Sequence, residues 1–263
     1  MKNILVIGAG RSASSLIRYL LNKSESGNFS VTIADLSEEL ALKKTGGHPN
    51  ARAIAFDIFN EKQRQEEIAK ADIVVSMLPA HLHLEAAKDC LTFGKNMVTA
   101  SYVSPGMQEL DKEVKAKGLV FMNEIGLDPG IDHMSAMKVI HEITAQGGKM
   151  LLFESFCGGL VAPESDNNLW NYKFTWNPRN VVLAGQGGAA KFIQEGTYKY
   201  IPYSALFRRT EFLEVEGYGK FEAYSNRDSL KYRSIYGLDD ILTLYRGTIR
   251  RVGYSRAWNM FVQ

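Results

Sequence analysis

The most constraining feature of this chain is a short apolar strand that runs straight into a glycine turn. Ile4-Leu5-Val6-Ile7 is followed by Gly8-Ala9-Gly10-Arg11-Ser12-Ala13, and a second apolar run, Val31-Thr32-Ile33-Ala34, ends at Asp35. Gly8, Gly10 and Ala13 fit the spacing G-x-G-x-x-G/A. The first glycine allows the tight turn, the second lets backbone approach a pyrophosphate, and the small third residue lets a helix pack close to the sheet. Leu16, Ile17, Leu20 and Leu21 then repeat at helical spacing, so a helix opens near Arg11. Its unpaired N–H groups and dipole favour an anion there. In this strand–turn–helix–strand context the motif predicts a bound dinucleotide rather than a plain loop.

Asp35 stands about 20 residues beyond the glycines, where a carboxylate accepts hydrogen bonds from ribose hydroxyls and repels a 2′-phosphate. Leu36 and Ser37 follow it, with no Arg or Lys. The expected cofactor is therefore NAD, with NADP disfavoured; the plainer alternative is that Asp35 only caps the helix beginning at Ser37.

Alternation of strands and helices continues through the first half. Helices are expected over 37–44, 61–70, 83–93 and 107–117, and strands over 53–56, 73–77, 96–100 and 119–122. Short buried strands alternating with helices predict a parallel sheet wound on both faces, with ligands outside the carboxyl ends of its strands. That rim collects Gly8, Gly10, Arg11, Ser12, Asp35, Asp57 with its neighbour Ile58, Met77, Leu78, Pro79, Thr99, Ala100, Ser101 and Tyr102. From about residue 127 the rhythm changes. A long helix over 132–146 precedes a stretch richer in aromatics, Gly and Thr, with strands over 150–156, 212–216, 220–224 and 243–245. The expected architecture is α/β: a dinucleotide-binding Rossmann domain over 1–126, then a second α+β domain over 127–263 on a mixed or antiparallel sheet.

The 263 residues are enough for two ordinary domains, and 45% hydrophobic with 23% charged composition argues against disorder. A net charge of +2 gives no reason to expect nucleic acid or a membrane surface as partner. Cys90 and Cys157 form neither a disulfide framework nor a metal spacing, and no apolar run reaches membrane length, so a cytoplasmic location is expected. His81 and His83 diverge at a helix start with no Cys or acid to complete a set. No metal is expected there, only a structural or cofactor-edge role. Trp170, Tyr172, Phe174 and Trp176 alternate with polar residues and read as sheet packing.

Three segments stand apart from core building: 99–105, 123–133 and 155–168. In isolation Gly126-Leu127-Asp128-Pro129-Gly130 is an ordinary turn, with Asp132 capping the next helix. Yet several longer runs closely resemble the saccharopine dehydrogenase family of the L-glutamate-forming type. These are Asn-Glu-Ile-Gly-Leu-Asp-Pro-Gly-Ile-Asp-His (123–133), Phe-Cys-Gly-Gly-Leu (156–160) with Ala-Pro-Glu-Ser (162–165), Asn-Tyr-Lys-Phe-Thr-Trp (171–176), Asn-Arg-Asp-Ser (226–229) and the run from Arg246 to Tyr254.

The resemblance spans nearly the whole chain. It implies reversible oxidation of saccharopine, with a nicotinamide cofactor and water, to L-glutamate and 2-aminoadipate 6-semialdehyde. It also implies a homodimer formed through the second domain, and a chain truncated relative to family members, which continue into a helical domain. Asp35 stands where the fungal NADP members carry a Cys-Arg pair, again implying an NAD type.

Saccharopine carries three carboxylates, so the resemblance assigns substrate contacts to Ser101, Tyr102, Asp128, Arg227, Arg246, Gly247 and Thr248. Arginine suits this role because guanidinium binds carboxylate bidentately. Leu127 joins Ala13 and the rim residues on the cofactor side. Tyr102, Asp128 and Cys157 are the positions to test for proton transfer during imine hydrolysis. A related amine–aldehyde reductase of the carboxynorspermidine type and a non-catalytic NAD-binding chain are the alternatives, and Arg227 with Arg246 favours the tricarboxylate.

Overall fold

A computed structural model of the chain describes residues 1–174, 178–183 and 188–262. Thr175 and Trp176 of the motif above lie outside these. The chain divides into two units, Met1–Ile131 and Asp132–Gln263.

In the first unit, β1 (Lys2–Ile7), β2 (Phe29–Asp35), β3 (Ala51–Ala55), β4 (Ile73–Ser76), β5 (Asn96–Thr99) and β6 (Phe121–Met122) form one parallel sheet of order β3-β2-β1-β4-β5-β6. The connections are α1 (Ser14–Lys23), α2 (Glu38–Thr45), α3 (Glu61–Lys70), α4 (His83–Thr92), α5 (Pro105–Glu109) and α6 (Asp111–Ala116). β1 is central and covered on both faces: Leu5, Val6 and Ile7 have no exposed surface. Leu5 and Ile7 point into one core with Ile68, Ala86, Ala87 and Met97. Val6 points into the other with Ala13, Ile17, Val31 and Ile33. Alternation along a strand thus feeds two helical layers, the reason a doubly covered strand reads as a continuous apolar run.

Local sequence marks the helix ends. The Ser37 hydroxyl accepts from Leu40 N–H at 3.2 Å to start α2, and Gly46 ends it with φ of 58°. Asn60 accepts from Gln63 N–H at 3.1 Å to start α3. Such caps each contribute about 1 kcal/mol.

The second unit contains α7 (Ile131–Ala145), β7 (Leu152–Cys157), α8 (Pro178–Leu183), β8 (Ala190–Gln194), β9 (Thr197–Ile201), α9 (Tyr203–Leu206), β10 (Glu211–Val215), β11 (Gly219–Ser225), α10 (Tyr232–Ile235), β12 (Thr243–Arg251) and α11 (Tyr254–Val262). Its sheet runs β10-β11-β12-β8-β9 with antiparallel pairing, and β7 pairs parallel with β12, so it is mixed. Adjacent residues of β12 again serve opposite faces. Leu244 joins Ala136, Ile140, Phe153 and Ile241, whereas Tyr245 joins Phe192, Tyr224 and Tyr254.

Among the described residues no helix is long and apolar enough to cross a membrane, and no group of three His, Cys, Asp or Glu side chains is placed to hold a metal.

Candidate functional site

All strands of the first sheet point the same way, so their carboxyl ends share one edge. Gly8 ends β1 with φ of 107°, and its N–H donates to Ala34 O at 2.7 Å. A Cβ there would stand 2.8 Å from Met77 O, so only glycine fits. Gly10 is different. Its φ of −62° with extended ψ suits any residue, and a Cβ would meet nothing within 4 Å. It opens a short 3-10 turn, Arg11–Ala13, that leads into α1, and no side chain caps that turn. Open space over backbone N–H groups at a helix start fits the pyrophosphate of a dinucleotide. Ala13 is buried against α1's own core residues, which allows the close approach of helix to sheet.

Asp35 ends β2, but its carboxylate faces the protein's own backbone. Oδ2 accepts from Ala9 N–H at 2.7 Å and Oδ1 from Ser37 N–H at 3.1 Å. It therefore ties the glycine turn to the start of α2. Asp57 follows β3 and accepts from Phe59 N–H at 2.9 Å. The Ile58 side chain is 5% exposed and belongs to the core, while its carbonyl accepts from Arg64 Nη1 at 2.6 Å. Arg64 is buried with Asp89, Nε to Oδ2 at 2.5 Å, so one ion pair joins α3, α4 and the loop at the end of β3. Met77 and Leu78 are half-buried beyond β4 and Pro79 is exposed.

The end of β5 carries a polar network. The His83 ring, 3% exposed, meets Ser76 Oγ through Nδ1 at 2.8 Å, and Ser101 Oγ and Thr99 Oγ1 through Nε2 at 2.7 and 3.3 Å. Burial, with His81 nearby, pushes its pKa down to about 4, so the ring is neutral at ordinary pH. Tyr102 Oη donates to Asp128 Oδ1 at 2.8 Å. On either side of Tyr102, Ser101 O accepts from Glu124 N–H at 3.0 Å and Val103 N–H donates to Glu124 Oε1 at 3.0 Å. The loop bearing Asp128 is closed by Gly126 N–H to Pro129 O at 2.8 Å, and Leu127 at its tip is exposed. Sequence reasoning groups Ser101, Tyr102 and Asp128, and the structure joins the last two directly. His83 is expected only as a structural or cofactor-edge residue; its three hydroxyl partners, Ser76, Thr99 and Ser101, converge on the ring only once β4 and β5 lie side by side.

His83 also predicts a pH dependence. The unfolded chain takes up a proton on this ring near pH 6.5 whereas the folded chain resists until about 4, so stability falls as pH drops through that window. Thermal melts of His83→Gln should show a flatter dependence than the wild type between those values. Parallel curves would show that His83 is not the group responsible.

In the second unit, the register of β12 places Arg246 beside Ser155, Gly247 beside Phe156 and Thr248 beside Cys157 on β7. Arg246 is 7% exposed. Its Nη2 donates to Asp132 Oδ2 at 2.6 Å and its guanidinium lies 4.1 Å over the Tyr232 ring. The expected cap of α7 is thus an ion-pair partner for β12. His133 stacks on Tyr232 at 5.1 Å and its Nδ1 lies 2.6 Å from Tyr236 Oη. Arg227 is exposed, with φ of 42°, and its carbonyl accepts from Lys191 N–H at 2.7 Å. A Cβ on Gly247 would stand 2.6 Å from the Phe156 ring, so that glycine is fixed by packing. Thr248 and Cys157 are both half-buried.

Comparison with known proteins bears on all of this. Residues 4–122 match the saccharopine dehydrogenase NADP binding domain and residues 126–263 the saccharopine dehydrogenase C-terminal domain. The NADP(+)-dependent, L-glutamate-forming saccharopine dehydrogenases of Pyricularia oryzae and Saccharomyces cerevisiae are 38% and 36% identical over 97% and 96% of this chain, and 56% of each relative is covered. The solved apo structure of the Saccharomyces cerevisiae enzyme superposes with a TM-score of 0.89 at 34% identity, over 97% of this chain and 56% of that one.

The expectation of NAD is corrected by these findings: the relatives are named for NADP(+) and the matching domain is an NADP binding domain. Both Asp35 oxygens accept from backbone N–H groups, which commits the carboxylate to the turn, and Arg11 brings a cation two residues beyond Ala9. The chain spans about half the length of these fungal relatives, 56%. With both domain models matched in order, and the fold shared with a solved member, the chain belongs to the saccharopine dehydrogenase family.

Proposed function

We propose that the chain binds NADP(H) and saccharopine and carries out the reversible, L-glutamate-forming oxidation of that substrate. The observation that carries this is the placement, on one edge of the first sheet, of the open glycine turn at Gly10 and the hydrogen-bonded Tyr102–Asp128 pair. Both lie in a chain whose family members are named for this reaction.

The pyrophosphate would lie over Gly10, Arg11 and Ser12. Arg11, in the glycine turn that Asp35 ties down through Ala9 N–H, and Ser37 are the groups assigned to the 2′-phosphate. A bound nicotinamide would supply the hydride acceptor for the carbon beside the secondary amine. The chain's own part is to hold protons and charge. Tyr102 Oη already donates to Asp128 Oδ1, so that pair can take the proton leaving the amine and return one during hydrolysis. Substrate carboxylates are assigned to Arg227, exposed, and to Arg246, whose guanidinium plane is fixed by Asp132. Cys157 stands beside Thr248 on the neighbouring strand and is the third position for proton transfer.

Titration of the chain should show NADPH bound at least tenfold more tightly than NADH, a difference of about 1.4 kcal/mol, with Arg11→Ala narrowing the gap. Saccharopine with NADP(+) should then generate reduced nicotinamide absorbance. NADPH binding without saccharopine binding would refute the substrate assignment and favour a non-catalytic or differently directed member of the family. We extend the proposal to a homodimer formed through the second unit; a monodisperse monomer in light scattering at micromolar concentration would refute it.

A further inference from the structure

We propose that His83 is a positioning residue for this reaction, clasping the hydroxyls of Ser76, Thr99 and Ser101 so that the Tyr102–Asp128 pair is held in place. The proposal rests on the function argued above and adds to it a residue that is itself buried, 3% exposed.

Three hydroxyls from two neighbouring strand ends converge on one ring. Ser76 ends β4, Thr99 ends β5 and Ser101 lies just beyond, at 2.8, 3.3 and 2.7 Å from the ring nitrogens. A neutral imidazole offers one N–H and one lone pair, so it needs one partner that accepts and one that donates. Hydroxyls can do either, and the set is matched whichever tautomer is present. Burial keeps the ring in that neutral state. The clasp continues outward from Ser101. The Ser101 N–H donates to Thr99 Oγ1 at 3.3 Å, and its carbonyl takes the Glu124 N–H at 3.0 Å. Glu124 reaches back to Val103 N–H at 3.0 Å. The backbone on both sides of Tyr102 is therefore pinned, and the phenol is carried to Asp128. A histidine that merely filled space would leave buried polar nitrogens to be satisfied at some cost. Here Nε2 serves the segment that presents Tyr102, while Nδ1 anchors the ring to Ser76 at the end of β4.

Filling space and positioning predict opposite orders for two substitutions. His83→Leu keeps the volume and removes both polar atoms; His83→Gln keeps one donor and one acceptor. Calorimetry on the full chain saturated with NADPH, where hydride cannot leave saccharopine, reads the effect without turnover. His83→Leu should bind saccharopine about tenfold or more weakly, with NADPH affinity within about threefold of wild type. His83→Gln should recover most of the loss. Equal saccharopine affinity in wild type and His83→Leu, or a glutamine variant as weak as the leucine one, would overturn the role of His83 alone.

Nitrogen-15 spectra of the histidine rings test the clasp directly. In the wild type the His83 ring should stay neutral from about pH 5 to 8, and Ser101→Ala should move its Nε2 resonance. An unmoved resonance would overturn the clasp even if His83→Leu failed to fold. A wild-type chain that binds NADPH but no saccharopine would instead refute the functional assignment, with the ring spectra still deciding whether the clasp exists.

Discussion

Gly10→Val should fold like the wild type and yet lose at least about 100-fold in NADPH affinity, or about 2.8 kcal/mol. Both halves follow from the geometry of the turn. At φ of −62° with extended ψ, a β-branched residue is at ease, and the space its Cβ would take holds no protein atom within 4 Å. Nothing in the fold opposes the substitution, so the melting temperature should stay within a few degrees. What the valine does fill is the space over the first N–H groups of the Arg11–Ala13 turn. A pyrophosphate needs to come within hydrogen-bond distance of that backbone, and an isopropyl group keeps it out.

Gly8→Ala is the control with the opposite signature. There φ is 107° and Met77 O stands 2.8 Å from the new methyl carbon, so stability should fall by about 1–3 kcal/mol. A Gly10→Val chain with normal NADPH affinity would move the phosphate site away from this turn.

The two glycines show how far sequence reasoning reaches. That a strand, glycine turn and helix lie in order is legible, because apolar periodicity and turn chemistry are local. The same holds for α3, expected over 61–70 and found as Glu61–Lys70 between an Asn60 cap and Ala71. Boundaries are missed where local pattern is weak. β3 begins at Ala51, two residues earlier than expected, because its residues are mostly half-buried and alternate faintly. The single helix expected over 107–117 is two, Pro105–Glu109 and Asp111–Ala116, separated at Leu110. Ser104 caps the first by accepting from Met107 N–H, so the start is set by Ser-Pro rather than by the apolar run.

The hairpin of β8 and β9 is not expected at all, although Glu195-Gly196, both with positive φ, is a two-residue turn of the type that favours hairpins. β12 is expected only to Tyr245 but runs to Arg251. Its arginines hide the strand, since the partner that makes a buried Arg246 tolerable is Asp132, far away in sequence. For His83, expected as structural or cofactor-edge, it is the partners Thr99 and Ser101, 16 and 18 residues on, that stay hidden. Long-range partners turn a polar residue into a structural one, and no local window contains them.

Arg246→Ala should therefore be a stability variant before it is a binding variant, with a loss of about 3–5 kcal/mol. The Arg246 and Asp132 side chains are 8% and 7% exposed and bonded at 2.6 Å. Truncating the arginine leaves the carboxylate in a low-dielectric setting without its guanidinium partner, and it also strips a cation from 4.1 Å over the Tyr232 ring. For a unit of this size that loss corresponds to roughly 10–20 °C in melting temperature. The backbone bonds at this position, Arg246 N–H to Ser229 Oγ and Asn226 N–H to Arg246 O, survive the substitution. Strand register should thus persist in whatever fraction stays folded.

Replacing both partners, Arg246→Met with Asp132→Leu, should recover most of the loss, since removing the pair is far milder than removing half of it. Arg227→Ala provides the contrast. Arg227 is exposed in a left-handed loop position, so stability should change by no more than about 0.5 kcal/mol. Saccharopine affinity should fall about tenfold, as expected for a lost charge-assisted hydrogen bond. If Arg246→Ala melted like the wild type and lost only saccharopine affinity, the ion pair would carry no stability and Arg246 would be a ligand alone. If Arg227→Ala left affinity unchanged, the carboxylate assigned to it would have to be met elsewhere in the second unit.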